Sequence, residues 1–97
     1  MANWVFDEYM RLDKFLKVSR IIKRRTDAKN ACLAGCIKVN GRIADAGDRI
    51  KIGDELEIDF KVKLLQVKIT DVPMKNIPTE KANSLYKIIR EIRKVED

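Results

Sequence analysis

The chain has 97 residues and a net charge of +6, from 21 lysines and arginines, 15 acidic residues and no histidine. A chain of this length forms one domain with a modest core. Because it has no histidine to act as an acid–base catalyst or metal ligand and no glycine-rich phosphate loop, we expect no catalytic site, no metal and no cofactor. It also has neither an apolar run that could span a membrane nor a signal-peptide pattern, which predicts a cytoplasmic protein.

Residues 1–10, MANWVFDEYM, differ from the rest of the chain, because they carry a net charge of −2 and three of its six aromatic residues. We interpret them as an N-terminal extension. Three alternatives are open: a segment packed on the domain, a flexible tail, or the product of a start codon upstream of Met10.

Residues 11–29 form a strongly basic stretch, RLDKFLKVSRIIKRRTDAK, with eight basic residues against two acids. Its net charge of +6 equals that of the whole chain, so the positive charge is local. A local basic surface predicts a polyanionic partner, RNA or DNA. The alternative is a solvated helix face that binds nothing.

Two helices are predicted in and just after this stretch. The first directs its basic side chains to solvent and has an apolar face made of Leu12, Phe15, Leu16 and Ser19. Thr26 is predicted to cap the second helix, which should end at Gly35. Cys32 and Cys36 are interpreted as reduced, buried thiols, because neither a histidine nor a second cysteine pair completes a zinc site.

Several strands should follow the helices. Asn40-Gly41 predicts a hairpin, because both residues tolerate the positive φ of a type I′ turn. Residues 55–60 alternate apolar and acidic side chains, which predicts a strand whose acidic face stays away from phosphate. Residues 61–69 form another strand, and the broken alternation at Leu64–Leu65 indicates a bulge or a bend.

The C-terminal part is predicted to be a linker, residues 73–78, and a helix that Thr79 caps. The apolar stripe of this helix would be Leu85, Ile88, Ile89 and Ile92. Acids nearly offset its basic residues, which favours a mixed solvated face over an extension of the basic surface. The complete pattern predicts an α+β fold: two N-terminal helices on a small, mostly antiparallel sheet, and a C-terminal helix.

Five segments, RLDKFL, SR, KRRT, AGCIKVNGR and IKIGDELEI, resemble the S4 domain, a small RNA-binding module, in order and at close to its spacing over residues 11–60. The resemblance implies the S4 (αL) fold over residues 11–72, with the linker and helix over residues 73–97. Among stand-alone S4 proteins the chain resembles the RqcP family of ribosome-associated quality control, also in its later segment ANSLYKIIRE. Residues 1–10 depart from that pattern.

The resemblance implies an RNA-binding protein that is not an enzyme. RqcP-like proteins bind large (50S) ribosomal subunits obstructed by peptidyl-tRNA, contact 23S rRNA and tRNA, and support alanine tailing by their partner RqcH. We expect a monomeric, ribosome-associated protein. The basic pattern and the resemblance together assign RNA contact to Arg11, Asp13, Lys14, Ser19, Arg20, Lys23, Arg24, Arg25, Thr26 and Lys29.

Arg24 and Arg25 rank first among these residues, because they precede a helix N-terminus whose amides attract phosphate. Asp13 has two interpretations: an ion pair with Lys17 one turn later, or a carboxylate that orients a neighbouring arginine or accepts a hydrogen bond from RNA. Alternatives for the whole chain are a heat-shock-type factor that recycles stalled 50S subunits, a generic structured-RNA-binding module, a protein-interaction module that uses the acidic strands, and a DNA-binding protein.

Overall fold

The computed structural model describes residues 9–72 and 84–94. Within these ranges the elements are β1 (Met10–Arg11), α1 (Leu12–Val18), α2 (Arg25–Leu33), β2 (Ile37–Val39), β3 (Arg42–Ile43), β4 (Arg49–Ile50), β5 (Glu55–Phe60), β6 (Lys63–Ile69) and β7 (Tyr86–Arg93). A five-stranded antiparallel sheet has the order β3-β2-β5-β6-β7, and β1 pairs with β4 in a separate antiparallel ribbon. The predicted α+β fold is confirmed.

The core lies between the two helices and one face of the sheet. Leu56 and Ile58 of β5 are buried, as the alternation predicts, and they pair with the buried Val67 and Leu65 of β6. Phe15 of α1 is fully buried in the same cluster. Because burying one such side chain contributes about 1.5–3 kcal/mol, this shared cluster fixes α1 and α2 on the sheet.

The start of α2 differs from the prediction. The helix begins at Arg25, its N-cap is the extended Arg24, and no side chain caps it. Thr26 therefore lies inside the first turn, and its predicted capping role is wrong. Since a threonine cap contributes only about 1 kcal/mol, the contact of Arg25 with α1 described below can outweigh it. The predicted end is confirmed: Gly35 follows the helix with φ of +78°.

The hairpin prediction is confirmed. Asn40 and Gly41 both have positive φ, 52° and 87°, as a type I′ turn requires. The Asn40 side chain also anchors the turn to the next strand, because its amide oxygen accepts a hydrogen bond from the Glu55 N–H at 2.9 Å. Its amide nitrogen donates to the buried carboxylate of Asp54 at 3.2 Å. The positive φ angles of Asn40 and Gly41 and the hydrogen bonds of the Asn40 side chain therefore both stabilise the turn.

The outer face of the sheet is less acidic than the sequence pattern indicates. Glu55 lies opposite Lys68, and Glu57 lies opposite Lys38, across adjacent strands. Lys94 forms an ion pair with the third acid of β5, Asp59. Since each acid has a basic neighbour, this face is balanced in charge and does not form an acidic docking strip.

The predicted C-terminal helix is wrong over residues 86–93, which form strand β7 along the free edge of β6. Three isoleucines among the eight residues of β7 favour a strand, and pairing satisfies the backbone groups of β6. The pairing slips between Gln66 and Val67 and leaves Ile89 as a bulge, instead of the predicted irregularity at Leu64–Leu65. Residues 84–94 thus share the sheet of residues 11–72, while Thr79 and the predicted linker lie outside the described residues.

Candidate nucleic-acid interface

A basic surface covers the exposed sides of α1, α2 and the segment between them. We call it the basic surface and define it by its exposed lysine and arginine side chains. Its exposed members are Arg11, Lys14, Lys17, Arg20, Lys23, Arg24, Arg25 and Lys29. The structure thus brings the predicted basic residues together on one side of the molecule, because the apolar residues between them are drawn into the core.

A buried carboxylate lies at the centre of the basic surface. Asp13 is fully buried, although it is an acid in the first turn of α1. Arg11 donates to it through Nε at 3.2 Å and Nη2 at 3.3 Å. Arg25 reaches it from α2, with Nη2 at 3.4 Å from Oδ1 and Nε at 3.4 Å from Oδ2. Both carboxylate oxygens are therefore shared between two guanidinium groups.

The two arginines stabilise the charged form of this acid. Burial alone would raise the pKa of Asp13, but hydrogen bonds from Arg11 and Arg25 and their positive charges lower it below its usual value. The Arg11 and Arg25 side chains stay 51% and 43% exposed, against 0% for Asp13. Each guanidinium thus turns one edge to Asp13 and leaves its other N–H groups toward solvent.

The geometry decides between the two interpretations of Asp13. The acid pairs with Arg11 and Arg25, and its predicted ion pair with Lys17 is not formed. Its carboxylate is also too buried to meet RNA directly. Asp13 orients two arginines in fixed positions, where their planar forks can bind phosphate oxygens in pairs.

Ser19 and Arg20 form the turn that ends α1. The Ser19 hydroxyl is buried, donates to the Leu16 carbonyl at 3.2 Å and accepts from the Ile21 N–H at 3.4 Å. Arg20 follows with φ of 66° and an exposed side chain. Ser19 therefore shapes the turn that presents Arg20, whereas Thr26 and Lys29 lie exposed on α2.

A loop that follows the β2–β3 hairpin supports Arg11 from outside the basic stretch. Backbone carbonyls of Asp48 and Ala46 accept the N–H groups of Leu12 and Asp13, at 2.7 and 3.1 Å. The Arg11 guanidinium also lies over Gly47, where an added Cβ would make ordinary van der Waals contact with it. Ala46 and Gly47 are small residues typical of a loop, but no sequence pattern indicates the contact of this loop with Arg11.

In the described ranges, the two cysteines belong to no cluster of potential metal ligands. Both thiols are free, with Cys32 buried and Cys36 half-buried. Burial, followed by the nearby charges of Asp13, Asp45 and Asp48, raises the pKa of Cys32 to about 11, so its nucleophilic thiolate is scarce. Among residues 9–72 and 84–94 no cluster of three potential ligands could hold a metal ion, and no helix is long and apolar enough to cross a membrane.

Comparison with known proteins gives consistent matches. The S4 domain family model matches residues 10–56. An RQC P-site tRNA stabilizing factor from Halalkalibacterium halodurans is 55% identical over 82 residues, which is 84% of this chain and 92% of the relative. The protein of the same name from Streptococcus pneumoniae is 50% identical over 84 residues, 87% of this chain and 94% of the relative.

A solved structure has the same fold. The trimeric structure of heat shock protein 15 from Vibrio cholerae aligns with a TM-score of 0.75 and 25% sequence identity, covering 82% of this chain and 81% of that one. The basic surface described above lies within the segment that the S4 family model matches.

Proposed function

This chain belongs to the family of RQC P-site tRNA stabilizing factors, and we propose that it acts in ribosome-associated quality control by binding RNA, without catalysis of its own. The name of the relatives describes stabilisation of tRNA in the P site. We extend that role to this chain because the match covers most of both sequences.

One observation carries the proposal: two guanidinium groups are fixed on the basic surface by a fully buried carboxylate. A buried acid is costly unless it is paired, and an apolar residue would serve an ordinary core better. The arrangement is useful when two arginines must hold a defined spacing and orientation. A folded RNA offers phosphates at such defined positions.

We further propose the particle that is bound. It is the large (50S) ribosomal subunit obstructed by peptidyl-tRNA, where the basic surface contacts 23S rRNA and tRNA and the protein supports alanine tailing by RqcH. Such a factor works in the cytoplasm, bound to ribosomes. The resemblance of the basic segments to the RqcP family and the name of the relatives support this finer assignment.

Sucrose-gradient sedimentation tests the proposal in cells with stalled translation that lack the native copy. We expect the tagged wild type in the large-subunit fraction together with peptidyl-tRNA. Arg11→Lys/Arg25→Lys keeps the charge but loses the planar forks, so we expect at least a tenfold smaller share in that fraction. Mass spectrometry of a stalled reporter chain reports alanine tailing in the same cells.

The control is Lys87→Gln/Arg93→Gln on β7, which removes two exposed positive charges from an element outside the basic surface. It should sediment like the wild type. Wild type that stays at the top of the gradient would contradict binding to the subunit. If the wild type co-sediments with the subunit but cells that lack the protein still tail the reporter normally, the role in tailing would be contradicted.

The similarity to heat shock protein 15 favours one alternative, a recycling factor for stalled 50S subunits. Both functions predict co-sedimentation with the large subunit. They differ in the reporter, because a recycling factor would leave alanine tailing by RqcH unchanged when it is deleted.

A further inference from the structure

Strand pairing places a third arginine beside Arg11. In the β1–β4 ribbon Arg11 lies opposite Arg49, and Met10 lies opposite Ile50. Residues directly opposite each other point to the same side of an antiparallel pair, with Cα atoms about 4.5–5.5 Å apart. Met10 and Ile50 enter the core, while Arg11 and Arg49 are exposed. Arg49 therefore stands next to the Arg11–Asp13–Arg25 group.

A fourth arginine follows at the hairpin. Arg49 and Arg42 line the same open pocket, of about 370 Å³, between β4 and the β2–β3 turn. The other basic residues of residues 30–60 have acidic neighbours: Lys38 faces Glu57, and Lys51 lies 3.3 Å from Asp54. In the described part of the chain neither Arg42 nor Arg49 forms an ion pair.

We propose that Arg49 and Arg42 extend the basic surface into a row of four arginines and bind further phosphates of the same RNA. The row runs from Arg25 through Arg11 and Arg49 to Arg42. The chemical group recognised is the sugar–phosphate backbone of a folded RNA, because guanidinium groups bind phosphate oxygens in pairs. This inference rests on RNA being the ligand of the proposed function.

The sequence alone does not reveal this row, because the net charge of a segment does not show where its charged side chains lie in the fold. Residues 30–60 carry four basic residues and six acids, which indicates a scaffold without a role in binding. The fold separates many of these charges: the acids of β5 lie on the outer sheet face beside basic residues, whereas Arg49 pairs with Arg11 and lines the pocket together with Arg42. The charged residues that line the pocket, Arg42, Arg49 and Asp48, are therefore net positive, although residues 30–60 as a whole are net negative.

One acid in the pocket opposes the proposed ligand and supplies a second test. Asp48 also lines the pocket, and its Oδ2 accepts the N–H of Asp45 at 2.9 Å. Asp48→Asn keeps an acceptor for that N–H and removes the negative charge. If phosphate enters the pocket, this variant should bind RNA more tightly.

Fluorescence anisotropy over a salt series measures the contribution of the two arginines. The probes are purified bulk tRNA and purified large ribosomal subunits, each titrated with the full chain. Neutralising two fewer phosphates should flatten the slope of log K against log salt by roughly 1.4–1.8 for Arg42→Gln/Arg49→Gln. Lys87→Gln/Arg93→Gln removes the same charge far from the row and should keep the wild-type slope.

The outcomes separate this inference from the proposed function. A flattened slope with tRNA assigns the row to tRNA, and one seen only with subunits assigns it to ribosomal RNA; either supports the row. Two results would overturn the row but leave RNA binding intact. One is wild-type binding with equal slopes for the arginine variant and its control. The other is no gain in RNA affinity for Asp48→Asn. Absence of wild-type binding to both probes overturns both.

Discussion

At the scale of single residues, Asp13 contributes both to the stability of the fold and to the geometry of the candidate binding surface. Its carboxylate is fully buried and bonded to two arginines, and burial of an ion is favourable only with such partners. Each arginine is about half exposed, so each can bind a ligand while it holds the acid. A variant at this group therefore changes the fold and the binding surface together, and both must be measured.

Asp13→Asn should destabilise the protein by about 1–3 kcal/mol, because an amide accepts poorly from two guanidinium groups. Urea denaturation at neutral pH measures the loss. Lys14→Gln, on the exposed side of the same helix, is the control and should unfold at the wild-type midpoint. Equal stability of Asp13→Asn and wild type would show that the pairing contributes nothing.

The difference in stability between wild type and Asp13→Asn should depend on pH. Because the pKa of Asp13 is lowered in the folded state, its contribution is complete above the unfolded value, about 3.9, and is lost as pH falls through the folded value. The stability gap between wild type and Asp13→Asn should thus stay constant from pH 7 to about 5 and shrink below about pH 4. A gap that widens on acidification would refute this linkage.

At the scale of elements, the sequence predicts structure best where a local rule and the core agree. The apolar face of α1, the Asn40-Gly41 turn and the alternation of β5 each follow a local rule that burial reinforces. The start of α2 and strand β7 depend on distant contacts, with Asp13 and with β6. The basic side chains and the pairing of Asp13 with a neighbouring arginine were among the predictions, whereas its second partner, Arg25 on another helix, and the loop supporting Arg11 were not.

Two glycines in adjacent loops give a matched test of the hairpin. Gly41 has φ of +87°, a conformation in which a side chain is strained. Gly47 does not have a positive φ in this range, and a Cβ added there would make only ordinary van der Waals contacts. Gly41→Ala should therefore cost about 1–2 kcal/mol. Gly47→Ala should unfold close to the wild-type midpoint. Thermal or urea denaturation of the two variants side by side makes the comparison, and equal losses would contradict the assigned turn.

A cross-link tests whether residues 86–93 form a strand. Lys68 and Lys87 are directly opposite in the β6–β7 pairing, within the Cα separation that a disulfide requires. With Cys32→Ala and Cys36→Ser in the background, Lys68→Cys/Lys87→Cys should oxidise readily to an intramolecular disulfide. Lys68→Cys/Arg93→Cys, which joins positions far apart along the ladder, should not. Equal oxidation of the two pairs would contradict the register.

At the scale of the whole molecule, positive charge is concentrated on one side. The basic surface carries the charge of residues 11–29, whereas the outer sheet face pairs its acids with lysines. If five phosphates are neutralised on binding, log K should fall against log salt with a slope of roughly −3.5 to −4.5. Binding to large subunits over a salt series measures the slope, and duplex DNA in competition at fixed salt tests the preference for RNA. A slope near zero would exclude recognition through charge.

This one-sided charge also affects the time course of an encounter. A molecule whose positive and balanced faces are opposite each other experiences a torque in the field of a polyanion, so diffusion brings it in with the helices leading. Collisions then begin near the final orientation, and salt should slow association much more than it speeds dissociation. The balanced sheet face would thus contribute to the rate of capture without touching the ligand.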